Sequence, residues 1–196
     1  MDVVTQLART SSRLARRALW GNWLAQLVVT RRCNLACGYC NEYDKTSQPV
    51  PLETLKRVVD KLDELGTFTL ELTGGEPLLH PDVIALLDYA RTRGIPRRRI
   101  ITNGFLLTRE MIDALNRVEL YHLAISIDGV HPNEQTEKVL SRLTKRLELL
   151  KAHAKFRVTL NAVLGSTQDD EAMAVVDYAR ANGFMANLNI LHDGNG

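Results

Sequence analysis

From Gln26 onward, short β-branched runs alternate with longer stretches of helical periodicity, the pattern of repeated β-α units around a parallel sheet. Six strands are predicted: Leu24 to Thr30, Thr67 to Thr73, Arg99 to Thr102, Tyr121 to Ile127, Lys155 to Val163 and Ala186 to Leu191. Helices are predicted from Leu52 to Leu65, Pro81 to Arg93, Asn133 to His153 and Asp169 to Asn182. Their ends carry start and stop signals: Pro51 before the first, Gly66 and Gly94 after the first and second, Thr167 and Gly183 around the last. Asp169, Asp170 and Glu171 fall in a first turn, where the positive end of the helix dipole favours carboxylates.

Alternation within the strands predicts a sheet with one polar face. Leu123, Ile125 and Ile127 oppose Ala124, Ser126 and Asp128; Leu70 and Leu72 oppose Thr69, Glu71 and Thr73. Thr159 and Asn161 oppose Val158, Leu160 and Ala162, and Asn187 and Asn189 oppose Leu188 and Ile190. An apolar outer face under helices and a small, polar inner face suit an α/β fold, a partial (β/α)6 barrel of parallel strands around a wet interior. The chain ends in Asp193-Gly194-Asn195-Gly196, soon after the sixth strand. An uncovered edge strand is a pairing liability, so the barrel is expected to lack a C-terminal closing segment.

Residues 24–196 read as one core domain, and 1–23 as a basic amphipathic helix in front of it. Thr5 to Ala18 sets Arg9, Arg13, Arg16 and Arg17 on one helical face. That face is read as solvated, with a membrane surface or anionic substrate as the alternative. Arg97, Arg98 and Arg99 are read as a solvated loop.

Composition narrows the classes. The 196 residues are 45% hydrophobic and 24% charged, the balance of a globular protein able to bury a core. Lys and Arg number 25 against 23 Asp and Glu, a net +2, too even to imply nucleic acid as a partner. No apolar run reaches the roughly 18 residues of a spanning helix, and the start lacks the order of a secretory signal. A cytoplasmic protein is expected.

The three cysteines form a CxxxCxxC loop, Cys33-Asn34-Leu35-Ala36-Cys37-Gly38-Tyr39-Cys40, directly after the first strand. That is the end of a parallel strand where α/β ligand sites gather. So tight a cluster reads as metal binding rather than a disulfide framework. Three thiolates can hold three corners of an iron-sulfur cube and leave one iron open. Zinc completed by His80 or His122 is the competing reading. Three more polar tips follow at the same strand ends: Thr73-Gly74-Gly75-Glu76-Pro77, Thr102-Asn103-Gly104 and Ser126-Ile127-Asp128-Gly129. Each alone reads as a turn. Together, on four successive strands, they read as a site.

These motifs, in this order and spacing, resemble the radical SAM superfamily over roughly residues 24 to 191. The resemblance implies that Cys33, Cys37 and Cys40 hold a [4Fe-4S] cluster and that S-adenosylmethionine (SAM) chelates its open iron. It further implies that Gly74, Gly75 and Glu76 bind the methionine amine, that Ser126 and Asp128 contact the ribose or carboxylate, and that Tyr39 lies by the adenine. Asn103 and Asn161 join the SAM site on the same ground. The implied activity is reductive cleavage of SAM to a 5'-deoxyadenosyl radical. That radical abstracts hydrogen from an unknown substrate or adds to it, with a flavodoxin or ferredoxin as reducing partner. A non-catalytic iron-sulfur sensor or electron-transfer protein is the alternative. Glu71, Asn187 and Asn189 are candidate substrate contacts or hydrogen-bonded packing. Asn41-Glu42-Tyr43-Asp44-Lys45 reads equally as substrate-facing or as a solvated loop.

Overall fold

The computed structural model describes residues 21–41 and 43–190. The expected helix from Thr5 to Ala18, Glu42, and the chain from Leu191 to Gly196 lie outside the described residues. Six parallel strands run in sequence order as one sheet: β1 (Leu24–Thr30), β2 (Thr69–Gly74), β3 (Arg97–Thr102), β4 (His122–Ser126), β5 (Arg157–Leu164) and β6 (Met185–Ile190). Sequential order with a helix in each crossover is the winding of a partial barrel. The helices are α1 (Leu52–Glu64), α2 (Val83–Thr92), α3 (Arg109–Arg117), α4 (Leu140–His153) and α5 (Asp169–Ala181). Among the described residues no helix is long and apolar enough to cross a membrane.

The outer face is the core. Leu70, Leu72, Ile100, Leu123, Ile125 and Leu160 are almost wholly buried in one cluster with Leu55, Leu86, Ile112, Leu147 and Val175 of the helices. Each such side chain contributes about 1.5–3 kcal/mol by leaving water. The opposite parity builds the interior in rows: Gln26, Glu71, Arg99, His122 and Arg157 are successive register partners. Two residues further along, Ala124, Thr159 and Met185 align, and beyond them Ser126, Asn161 and Asn187.

Three local expectations are corrected. Residues 133–139 are loop, not the start of α4, because the Asn133 side chain captures the N–H groups of Gln135 (2.8 Å) and Thr136 (2.9 Å). An Asx turn thus replaces the first helical bonds. Arg97, Arg98 and Arg99 are not a solvated loop but the start of β3. Arg98 is 7% exposed and its guanidinium donates to the carbonyls of Ile95, Pro96 and Glu119. The helix α3 was not expected; its N-cap Thr108 accepts from the Met111 N–H at 3.2 Å.

Candidate functional site

The cysteine loop leaves the end of β1 and is held from three sides. From below, the Gly75 N–H donates to the Thr30 carbonyl (2.9 Å) and the Glu76 N–H to the Arg32 carbonyl (2.8 Å). Gly74 has φ +128°, and a Cβ there would stand 2.1 Å from the Thr30 oxygen. A Cβ on Gly75 would stand 2.4 Å from the oxygens of both Arg31 and Arg32. Glycine is therefore what lets β2 press against the cysteine loop.

From outside, residues 43–45 form a strap. The Asp44 N–H donates to the Arg31 carbonyl (2.8 Å), and the Lys45 ammonium donates to the carbonyls of Cys33 (2.9 Å) and Leu35 (2.7 Å). From above, the loop after β4 crosses over: the Gly38 N–H donates to the Gln135 carbonyl (2.8 Å), and Thr136 Oγ1 lies 3.9 Å from Cys37 Sγ.

Glu76 is fully buried and acts as a tie. Its Oε1 accepts from Leu78 N (3.0 Å) and Thr102 Oγ1 (2.7 Å), and its Oε2 from Asn103 N (2.7 Å). Burial raises its pKa despite these donors. Asn103 Nδ2 then donates to the Asn34 side-chain Oδ1 (2.8 Å) and approaches Cys33 Sγ (3.7 Å). Burial likewise pushes the Cys33 thiol up, against the pull of the Leu35 N–H on its sulfur.

Asp128, 0% exposed, gathers a second network. Its Oδ2 accepts from Tyr39 OH (2.7 Å) and Thr136 Oγ1 (2.6 Å), with the Lys138 ammonium at 3.5 Å and also against the Tyr39 hydroxyl. Burial and the Asp128 charge push the Tyr39 phenol far up, so it stays protonated and donates.

These supports enclose a cavity of about 190 Å³ whose wall carries all three cysteines with Gly74, Gly75, Asn103 and Ser126. Tyr39, Glu76, Asp128 and Asn161 do not line it; the first three brace its wall. Thr73 of the second strand-end motif and Tyr43 of the segment after the cysteines also line it, as does Lys138, which the sequence reading missed. Lys138 was hidden because residues 133–139 read as helix, although a cation following Ser126-Ile127-Asp128-Gly129 was a usable signal.

The donor set suits a cluster better than a single ion. The three free thiols share one cavity wall, yet among the described residues no three His, Cys, Asp or Glu groups converge on one metal ion. The zinc reading does not fit either, for neither histidine lines the cavity. His80 is engaged with the Val50 carbonyl (2.8 Å) and the Asp82 N–H (3.1 Å), and His122 with Thr159 Oγ1 (2.7 Å). Two buried acceptors at the ends of β4 and β5, Asp128 Oδ1 and Asn161 Oδ1, have no partner among the described residues. Polar atoms of that kind call for a ligand or water.

A partial parallel barrel with a three-thiol loop at its C-terminal rim defines an α/β protein whose candidate site is suited to an iron-sulfur cluster. Residues 27–179 match the model of the radical SAM superfamily, and the chain belongs to that family. GTP 3',8-cyclase of Chlorobaculum tepidum is 33% identical over 163 residues, covering 79% of this chain and 49% of that protein. PqqA peptide cyclase of Bradyrhizobium diazoefficiens is 31% identical over 145 residues, 70% of this chain and 38% of that protein. The chain thus spans half or less of the length of these relatives. The fold is also that of Streptococcus suis SuiB bound to precursor peptide SuiA, at TM-score 0.77 and 18% identity over 96% of this chain and 44% of that one. The superfamily's cofactors are a [4Fe-4S] cluster and SAM.

Proposed function

We propose that residues 24–196 act as the catalytic core of a radical SAM enzyme. Cys33, Cys37 and Cys40 would hold the [4Fe-4S] cluster, and the cavity floor of Gly74, Gly75, Asn103, Ser126 and Lys138 would receive SAM. The observation that carries this is the single cavity shared by three thiols and the glycine, asparagine and serine tips of three further strands. Bound there, cluster and SAM would supply radical chemistry: one electron from the reduced cluster would split the sulfonium into methionine and a 5'-deoxyadenosyl radical able to take hydrogen from, or add to, a substrate carbon.

The chain's own part is position and exclusion. Glu76 ties three strand ends so that Asn103 and the cysteine loop keep one spacing. Gly74 and Gly75 keep the wall free of side chains, so a ligand amine can meet backbone carbonyls. Lys138 brings a positive charge to the wall, suited to a carboxylate, and Asp128 and Tyr39 hold that ammonium in place. Ser126, which lines the cavity, offers its hydroxyl to the ribose, and Asp128 Oδ1 and Asn161 Oδ1, unpartnered among the described residues, lie behind that wall.

Free thiols and a reducible cluster suit the cytoplasm, with a flavodoxin or ferredoxin as electron donor. The relatives that cyclise a nucleotide or a peptide support a small-molecule or peptide substrate.

The test is anaerobic reconstitution with iron and sulfide, followed by SAM and a strong reductant. Production of 5'-deoxyadenosine by the natural chain and its absence in Cys37→Ala is the expected result. A cluster that forms but neither binds nor cleaves SAM would overturn the proposal in favour of a non-catalytic iron-sulfur protein.

A further inference from the structure

Away from the cysteines, at the N-terminal ends of the strands and reaching β6 and α5, lies a second, larger cavity of about 810 Å³. Arg97, Arg99, Arg157 and Arg180 line it together with His122, and among the described residues no Asp or Glu does. Arg99 is paired with Glu71, Nε to Oε2 at 3.2 Å, whereas Arg97, Arg157 and Arg180 have no ion pair among the described residues. Four guanidinium groups around one space with a single paired carboxylate leave an excess of positive charge among the described residues.

The cations are pre-positioned. Arg97 lies over the rings of both Phe68 (4.8 Å) and Tyr121 (4.9 Å), and Phe68 in turn stacks on Trp23 at 4.9 Å. Arg157 stacks on the same Tyr121 (5.1 Å) and donates to its hydroxyl at 3.0 Å. Guanidinium planes held by aromatic faces present their remaining N–H groups in a fixed fork, the arrangement that binds a carboxylate or phosphate with little ordering cost. His122 reports the same field: burial, then Arg99 and Arg157, lower it to about 4.

The two cavities share one inner face. Thr159 lines the arginine cavity, while Thr73 and Ile101 line the cysteine cavity, and Ala124 sits between Ile101 and Thr159 in one register row. Only small or neutral side chains separate the ends, and His122 to Ser126 spans about 13 Å of strand. A molecule anchored by its charge among the arginines can present a carbon to the cysteine end.

We infer that the substrate is an anion whose carboxylate or phosphate group is held by Arg99 and Arg157, with Arg97 completing the cage. As a statement about substrate it rests on the radical SAM reading of the cysteine end; as a statement about binding it stands on the arginine cavity.

The test uses the reconstituted full chain and ligand-observed NMR titration with phenyl phosphate, 3-phenylpropionate and the neutral 3-phenylpropionamide, with SAM binding measured on the same samples. Saturable binding of one or both anions, no binding of the amide, and at least tenfold weaker anion binding in Arg99→Gln and in Arg157→Gln are expected. Arg157 is exposed, so its variant keeps the test valid if Arg99→Gln fails to fold. The preferred anion identifies the source, phosphate ester or carboxylic acid. Equal binding of the amide, no saturable anion binding, or binding unchanged in both variants overturns the inference. SAM binding without anion binding overturns this inference alone; anion binding without SAM binding overturns the functional reading and leaves the anion site standing.

Discussion

Tyr39 and Asp128 join the cysteine loop to the end of β4 through a hydrogen bond of 2.7 Å between residues 89 positions apart. Asp128 has no exposed surface, and among the described residues its side chain is held by Tyr39, Thr136 and Lys138. Tyr39→Phe removes this donor to Asp128 and, with the hydroxyl, the acceptor that the Lys138 ammonium meets. A loss of about 1–2 kcal/mol is expected from the unmet carboxylate oxygen. Urea denaturation of the two proteins measures it, and iron content after desalting should fall in parallel.

Gly75→Ala tests the pressing of β2 against the cysteine loop. The added methyl meets two backbone oxygens at 2.4 Å, which no side-chain rotation relieves. Overpacking of this kind costs about 1–3 kcal/mol, and the yielding part is the cysteine loop. The variant should fold yet retain far less iron after reconstitution, read by iron and sulfide analysis.

Lys45→Met opens the strap without touching the barrel. The ammonium bonds two carbonyls of the cysteine loop from an exposed position. Global stability should change by no more than about 1 kcal/mol. The time course of cluster bleaching under a chelator should shorten severalfold, because only the loop is released.

His122 predicts a pH dependence. Its pKa falls from 6.5 to about 4 in the folded chain, through burial and then Arg99 and Arg157. The unfolded chain therefore binds a proton over this window that the folded chain does not, and stability falls as the pH drops from 6.5 towards 4. The full loss is on the order of 3 kcal/mol. His122→Gln should flatten this part of the profile in chemical denaturation across pH 4 to 7; an unchanged slope would show that the imidazole titrates normally.

Strand parity and the cysteine spacing carried most of the fold and half of the site. Leu70, Leu72, Leu123, Ile125 and Leu160 alternate with polar residues and are the buried outer face. Cys33, Cys37 and Cys40 share a cavity because a short loop cannot take them far from β1. Gly74, Gly75, Asn103 and Ser126 join them because successive parallel strands end on the same rim. Lys138 was hidden in a predicted helix because Asn133 diverts the chain through side-chain bonds that periodicity does not register, so only its charge after Gly129 could have marked it. Glu76 was legible as a site residue, while its place as a fully buried tie between strand ends was not.

By itself, then, the sequence determined what is local or periodic: which residues face the helices, which loop holds the thiols, and the family. The tertiary structure decided what depends on the pairing and register of separate strands. Arg97, Arg99 and Arg157 stand as a run of basic residues and a distant third, and only the register of β3, β4 and β5 brings them around one space. Charge convergence of that kind is a sum over separated segments, and no single segment carries it.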